Sequence, residues 1–548
     1  MALVYRITTN LYTLLNSNYW KYSVMVTRLK STKHSVEKPE TKDNLDSSEM
    51  EDNFSKVHKF RQSQAHKSVL LQLKEFKQIG QCQQFLESFG KLESIFHYTT
   101  KLENPNMILA EYCTINSVRN LLRQATYKNI TEYIPIPTKI LQYHEIDLSN
   151  VNNNITFQKY SHHYPTWVST RITLLRPKYI SDQMLSLYNT LKLTDIDIRL
   201  RYYTVNQLNF ALCKLFPTIS VLPFGSSVSG FGEMGCDLDL VCTFSHDSKI
   251  QKDHDSKLIF SSKPFCLVER FDQREFLRQL SVLLDKFIPG VSNVQCVLQA
   301  RVPIVKFRFG PTSMQCDLST NNLSGFYMSQ MFYNLANIDY RIRPLIFTIR
   351  KWARSHGVTS NIPGSKITNF SLTLLIVHYL QHIKMVPPLR KILLSSGMPI
   401  WNHNTKNVMK MEKLLYGFFE YYATFDFHMH AICVLDGYVK QKPDVTPLYI
   451  HNPLDTTLNV SRNITIYELK IFIEAVLDAI KIWNNSKVVH ILDLVDEPCS
   501  KDAKKEHYEI RMRKLDENKP EILEKILKDD AAEAIKLDQT DKMQEIIK

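Results

Sequence analysis

Two carboxylates, Asp237 and Asp239, alternate with Leu238 and Leu240 after a Phe224-Gly225-Ser226 turn and ten residues of connector. Successive strand side chains point to opposite faces, so the two acids project together, roughly 6–7 Å apart by strand rise, while the leucines point inward. Gly225 lets the backbone approach a phosphate without a Cβ clash. Ser226 can offer its amide and hydroxyl to terminal phosphate oxygens. A Gly-Ser pair alone is an ordinary turn; joined to Asp-x-Asp on an apolar strand it gains meaning. Two carboxylates are too few for two divalent ions, and the next strands supply a third. Arg301–Phe309 reads as a strand, the chain turns at Gly310-Pro311, and Met314–Leu318 carries Asp317 between apolar neighbours. The blander reading of Asp317 is a strand-end turn cap. Three hard oxygen ligands suit Mg²⁺ or Mn²⁺ rather than zinc. Two such ions about 3.5–4 Å apart clamp both oxygens of an in-line displacement on a nucleoside triphosphate. Asp317, closest to the attacking hydroxyl, is placed to take its proton.

These residues need a sheet to carry them. Ser181–Phe216 reads as largely helical and leads into the strand Ile219–Phe224. Beyond the acids, Tyr340–His356, Phe370–Ile383 and Tyr467–Trp483 have helical spacing. Upstream, Ser68–Leu73, Leu92–Thr99, Met107–Cys113 and Ile134–Leu141 are strand-like. Gln78–Phe89 and a helix capped by Thr114 fall between them. That order, strand-helix-strand-strand-helix-strand, is ferredoxin-like, as in RNA-recognition domains. Its third strand, Met107-Ile108-Leu109-Ala110-Glu111-Tyr112, lacks the glycines and paired rings that stack RNA bases. Glu145–His163 is polar and reads as a loop. The expected class is α+β, with a mixed-sheet palm, a mostly helical nucleotide-binding domain and a small ferredoxin-like domain ahead of them. The expected boundaries are a leader at 1–36, a linker at 37–59, the small domain at 60–145, the palm at 180–322, the helical domain at 323–486 and a charged tail at 487–548.

At 548 residues the chain is too long for one core. Its formal charge of +13 points to an anionic partner, RNA or DNA ahead of a membrane surface. The ten cysteines are scattered without a C-x-x-C pair, against a zinc site or disulfide framework. No apolar run reaches membrane-spanning length, so no membrane insertion is expected. Arg6, Lys21, Arg28, Lys30 and Lys33 all precede the first acid, Glu37. That basic, hydroxyl-rich, acid-free start has the composition of a mitochondrial transit peptide, with a basic arm as the plainer alternative. The expected location is the mitochondrial matrix. The tail 501–548 holds twelve basic and thirteen acidic residues, reads as a solvated helix or disordered tail and is assigned no chemistry.

The set Phe224-Gly225-Ser226, Asp237-Leu238-Asp239 and Asp317 resembles the polymerase-beta-like nucleotidyltransferase superfamily. Within it, Cys316–Asn322, Lys351-Trp352-Ala353-Arg354 and Ile367–Leu372 resemble the noncanonical poly(A) polymerases, above all their mitochondrial branch in animals. The likeness runs from about residue 60 to 485 and includes Pro447–Pro453. The resemblance implies adenylate addition from ATP to RNA 3′ ends, with Mg²⁺ or Mn²⁺, by a homodimer built partly through the small N-terminal domain. It implies that Asn322 reads the ribose and that Arg350 and Arg354, four apart on one helix face, contact the triphosphate. It implies that Phe370 stacks on the base, with Asn369 beside it matching a serine. Without the family, the arginines read as a solvated basic face and Phe370 as core. Leu458 stands where uridylyl-transferring relatives carry a uracil-selecting histidine, which tilts base choice toward adenine. Met328 stands where relatives often carry a ribose-contacting asparagine. The rival readings are a terminal uridylyltransferase and a catalytically silent RNA-binding scaffold; an intact set of crowded acids argues against the second.

Overall fold

The computed structural model describes residues 53–74, 79–99, 106–127, 136–143, 158–159, 165–244, 269–321, 323–360, 364–394, 407–485 and 490–496. The leader, the linker to residue 52 and the tail beyond 496 lie outside the described residues. Chain contacts divide the protein into two interleaved units. The first comprises 1–164, 191–340 and 387–404; the second 165–190, 341–386 and 405–548. The chain passes back and forth between them.

The first unit holds two five-stranded sheets. Helix α1 (Asn53–His66) precedes β1 (Ser68–Leu73), α2 (Ile79–Glu87), β2 (Leu92–Thr99), β3 (Asn106–Tyr112), α3 (Ile115–Gln124) and the short β4 (Ile140–Gln142) and β5 (Gln158–Lys159). Thr114 is the N-cap of α3, its side chain accepting from Ser117 N. The strand order is β4-β1-β3-β2-β5. Two features depart from the expected ferredoxin-like arrangement. A β-α-β crossover from β3 would leave β4 parallel to β3, yet β4 pairs parallel with β1, which is itself antiparallel to β3. The closing strand is also shorter than Ile134–Leu141, and a fifth strand, β5, joins β2 from within the expected polar loop.

This small sheet is covered on both faces, which explains why β1 and β3 read as continuous apolar runs. Val69, Leu71, Ile108 and Ala110 pack with α2 and α3. Leu70, Phe96, Tyr98, Met107 and Leu109 join the core of helix α4 (Asp195–Leu212) and the second sheet. The face that an RNA-recognition domain presents to bases is therefore buried here. Polar ties fix the junction. Tyr98 donates to Pro311 O at 2.7 Å, and Lys139 Nζ donates to Asn206 Oδ1 at 2.8 Å and His66 O at 2.9 Å. Glu111, 1% exposed, is ion-paired with Arg199.

Helix α1 packs Phe54 and Ala65 against Tyr202 of α4. His58 is buried there, its Nδ1 2.9 Å from the Tyr202 hydroxyl, and burial lowers its pKa to about 4. The unfolded chain takes up that proton near pH 6.5, so stability is present above pH 6.5 and lost as pH falls toward 4. Denaturant titrations at pH 7 and pH 5 are expected to show a smaller acid-induced loss in His58→Gln than in the unaltered protein. The difference is at most about 1.4 kcal/mol per pH unit.

The second sheet has the order β6-β7-β10-β9-β8. It is built from β6 (Ile219–Phe224), β7 (Leu238–Phe244), β8 (Val291–Val297), β9 (Ile304–Phe309) and β10 (Met314–Thr320). Strand β9 begins three residues later than its sequence suggests, after Pro303, whose nitrogen has no hydrogen to donate. The one-turn α5 (Ser226–Ser229) follows β6, α6 (Arg270–Phe287) precedes β8, and α7 (Leu323–Ala336) follows β10. Inward residues Leu238, Leu240, Val305, Phe307, Cys316 and Leu318 are all buried and leave the alternate positions for the outer face.

The second unit is mostly helical. It includes α8 (Ile342–Ser355) and α9 (Asn369–His382), helices Trp167–Leu174, Met411–Ala423 and Ile466–Asn485, and two hairpins at 430–441 and 451–459. Trp352 and Phe472 are fully buried in it. Thr368 caps α9 by accepting from Ser371 N at 3.1 Å. No helix among the described residues is long and apolar enough to cross a membrane.

Candidate active site

The carboxylates are positioned by strand register. Strands β7 and β10 pair parallel with Asp239 opposite Asp317, and Asp237 immediately precedes β7. The three influence one another electrically. Burial raises the Asp239 pKa to about 7, reinforced by the charges of Asp317 and Asp237. Asp237 is raised as well, by burial and then by Asp317. Crowded acids of this kind favour a cation in their midst.

The Gly225 turn touches the same group. Gly225 has φ 72° and ψ −146°, a backbone that favours glycine. A Cβ there would collide with the Asp239 carboxylate. Glycine is thus required by Asp239 itself, a closer constraint than the phosphate approach read from sequence. Its amide is already spent, donating to Ser329 Oγ of α7 at 2.7 Å. The Ser226 hydroxyl lies 3.5 Å from Cys236 Sγ at the other end of the connector.

Two residues that the motif reading passed over complete this surround. Arg201 of α4, 3% exposed, donates to Ser227 Oγ at 3.1 Å and to Cys236 O at 2.6 Å, pinning the connector between turn and acids. Its charge also opposes the rise in the Asp237 and Asp239 pKa values. Lys306 of β9 donates from Nζ to Asp317 Oδ2 at 2.6 Å. A basic residue spaced two from Arg308 on a strand adjoining Asp317 was the available signal, and register was needed to see it.

Among the described residues no three His, Cys, Asp or Glu side chains already form a cage for a metal ion. Asp237, Asp239 and Asp317 nevertheless fit a hard divalent ion by donor chemistry: three carboxylates on one face of the sheet, two of them with pKa values raised by burial and by neighbouring carboxylate charge. One Asp317 oxygen is engaged by Lys306.

Of the other candidates, Asn322 lies outside the described residues, and Met328 is buried in α7. Arg350, Arg354, Asn369, Phe370 and Leu458 belong to the second unit. Arg350 donates to Thr373 Oγ1 at 2.7 Å, and Thr373 in turn donates to Asn369 O at 2.6 Å, tying α8 to the first turn of α9. Arg354 and Asn369 are exposed. Phe370 is only half-buried, whereas residues 371–381 of the same helix are buried throughout. Phe370 therefore is not a core residue of that run. Leu458 is half-buried in the second hairpin.

A mixed sheet bearing a Gly-Ser turn, two register-matched acids and a third just ahead of them is the palm of a nucleotidyltransferase. Residues 180–337 match the family described as "Poly(A) RNA polymerase, mitochondrial-like, central palm domain", and 412–458 match "Cid1 family poly A polymerase". The mitochondrial poly(A) RNA polymerase of Drosophila melanogaster is 32% identical over 443 residues, covering 74% of this chain and 72% of that one. The solved structure of mtPAP in complex with UTP has a TM-score of 0.74 at 28% identity, covering 81% of this chain and 99% of the other. The complex of mtPAP with ATPγS has a TM-score of 0.73 at 28% identity, with the same two coverages. The chain belongs to the family of mitochondrial poly(A) RNA polymerases, and its place is the mitochondrion.

Proposed function

We propose that the chain extends RNA 3′ ends with adenylates taken from ATP, after import directed by its basic, acid-free leader. The observation that carries this is the register pairing of Asp239 with Asp317, with Asp237 beside them and the Gly225 turn packed on Asp239. Asp237, Asp239 and Asp317 would hold Mg²⁺ or Mn²⁺, which when bound supplies Lewis-acid activation of the 3′-hydroxyl and neutralises the departing pyrophosphate. In the transfer, the 3′-oxygen attacks the α-phosphorus, the bond from that phosphorus to the bridging oxygen breaks, and Asp317 takes the hydroxyl proton. Ser226 binds terminal phosphate oxygens, and Arg350 and Arg354 neutralise the triphosphate. Phe370 stacks on the base with Asn369 at its side, and Asn322 holds the ribose. A second copy of the chain, associated through the small domain, is part of the reading.

The uridylyltransferase alternative stays open because mtPAP has been solved with UTP, GTP and CTP as well as with ATPγS, so occupancy alone does not name the base. The test is extension of an RNA oligonucleotide by the protein freed of its leader, given Mg²⁺ or Mn²⁺ and one nucleotide at a time. ATP is expected to give the longest products; extension with UTP and none with ATP would sink the assignment. Leu458 cannot donate a hydrogen bond to uracil. In the same assay Leu458→His is expected to shift the UTP-to-ATP ratio of kcat/KM upward roughly five- to tenfold, the worth of one net hydrogen bond.

A further inference from the structure

The outer face of the palm sheet carries its own cation beside the acids. Asp239, Asp317 and Lys306 are consecutive in one cross-strand row: Asp317 pairs with Asp239 on β7 and with Lys306 on β9. The Lys306 ammonium donates to Asp317 Oδ2 at 2.6 Å, a short charge-assisted contact. Its charge is also felt at Asp237 and Asp239. Arg201, the other cation near the acids, is committed to Ser227 and Cys236 and is buried. Lys306 differs in both respects. Its side chain is 40% exposed against 19% for Asp317, and it is a flexible, strongly hydrated ammonium on a four-carbon stem. It can leave toward water where Arg201 cannot. As an ordinary surface ion pair it would contribute little, but its partner is one of three mutually repelling acids, and the carboxylate it engages is one that would hold a divalent ion.

We propose that Lys306 is the built-in counter-ion of the metal-free carboxylate set, holding Asp317 until a divalent ion arrives and releasing it as part of metal loading. The inference rests on the metal-dependent transferase reading above. Ammonium and metal would then compete for one carboxylate. Removing the ammonium tightens metal binding and weakens the metal-free fold, two effects of the same displaced charge.

The test uses the full chain with Mn²⁺ as probe, free Mn²⁺ being read by electron paramagnetic resonance at fixed pH and ionic strength. Lys306→Met is expected to lower the Kd for Mn²⁺ about tenfold. It should also melt earlier without metal and gain more from Mn²⁺ than the unaltered protein. Lys306→Arg, which keeps the charge, should stay near the unaltered values. A second measurement needs no variant: acetylation of the Lys306 amine by an N-hydroxysuccinimide ester, followed by mass spectrometry, should run faster with Mn²⁺ than with sodium chloride of equal ionic strength. Unchanged or weaker Mn²⁺ binding in Lys306→Met with an unchanged metal-free melting point, or acetylation indifferent to Mn²⁺, overturns the proposal. Asp239→Asn separates the two failures. If Mn²⁺ binding depends on Asp239 while Lys306→Met is neutral, this inference falls alone. If no binding depends on Asp239, the metal reading falls with it.

Discussion

Asp239→Asn is expected to stop adenylate transfer and to leave the metal-free protein more stable than before. Asparagine keeps the shape of the side chain and removes its charge, so the loss isolates the carboxylate's role. Asp239 lies opposite Asp317 and two residues after Asp237, where burial and then those two charges push its pKa up to about 7. The folded value lies above the unfolded one, near 3.9. Between them the folded chain holds a proton that the unfolded chain has lost. This group's contribution is thus fully present below about pH 4 and lost as pH climbs toward 7, at no more than about 1.4 kcal/mol per pH unit. Asparagine has no proton to lose. In chelator the variant is expected to melt higher than the unaltered protein at pH 7.5, and the two should converge near pH 4. Incorporation of labelled AMP into RNA is expected to fall by on the order of 10³-fold, as for removal of a main electrostatic stabiliser. Activity within tenfold of the unaltered protein would remove Asp239 from the site.

The elements that could be read from sequence are those whose local signals agree. Alternation in 237–240 and 301–309 placed β7 and β9, and Thr114 supplied cap chemistry where a helix starts. The acids were legible because carboxylates on apolar strands have few structural uses. Arg201 and Lys306 were not, because a basic residue has many uses and only packing and register reveal which acid it meets. The small sheet shows the same limit. Its helices and first three strands follow from periodicity, but the parallel pairing of β4 with β1 depends on the path after α3, to which no local pattern testifies. Burial of both its faces was hinted at by the unbroken run Met107–Ala110. What covers one of them, helix α4, lies some ninety residues downstream. The interleaving of the two units likewise arises from contacts distant in sequence, at joins such as 190/191 and 340/341 that carry no shift in composition.

Gly225→Ala is the smallest change expected to disable the enzyme without unfolding it. Alanine at φ 72° costs about 1–3 kcal/mol of backbone strain, which a protein of this size survives. The larger effect is geometric, because the new methyl meets the Asp239 carboxylate. The turn cannot retreat easily. Its amide is held by Ser329 Oγ at 2.7 Å, Ser329 donates onward to Gly325 O at 2.6 Å, and Gly325 is itself pressed against the Phe224 ring. With the turn anchored at both ends, the carboxylate must give way and lose its alignment with Asp317. A displacement near 1 Å at a reacting centre costs roughly 10²-fold. It should appear in kcat for AMP transfer and leave the KM for RNA little changed. Gly364→Ala is the control, since a Cβ there has nothing within 4 Å; both activity and melting temperature should stay at the unaltered values. If Gly225→Ala instead raises KM for ATP at constant kcat, the turn's chief role is to bind phosphate, and the reading that glycine is needed to make room for Asp239 fails.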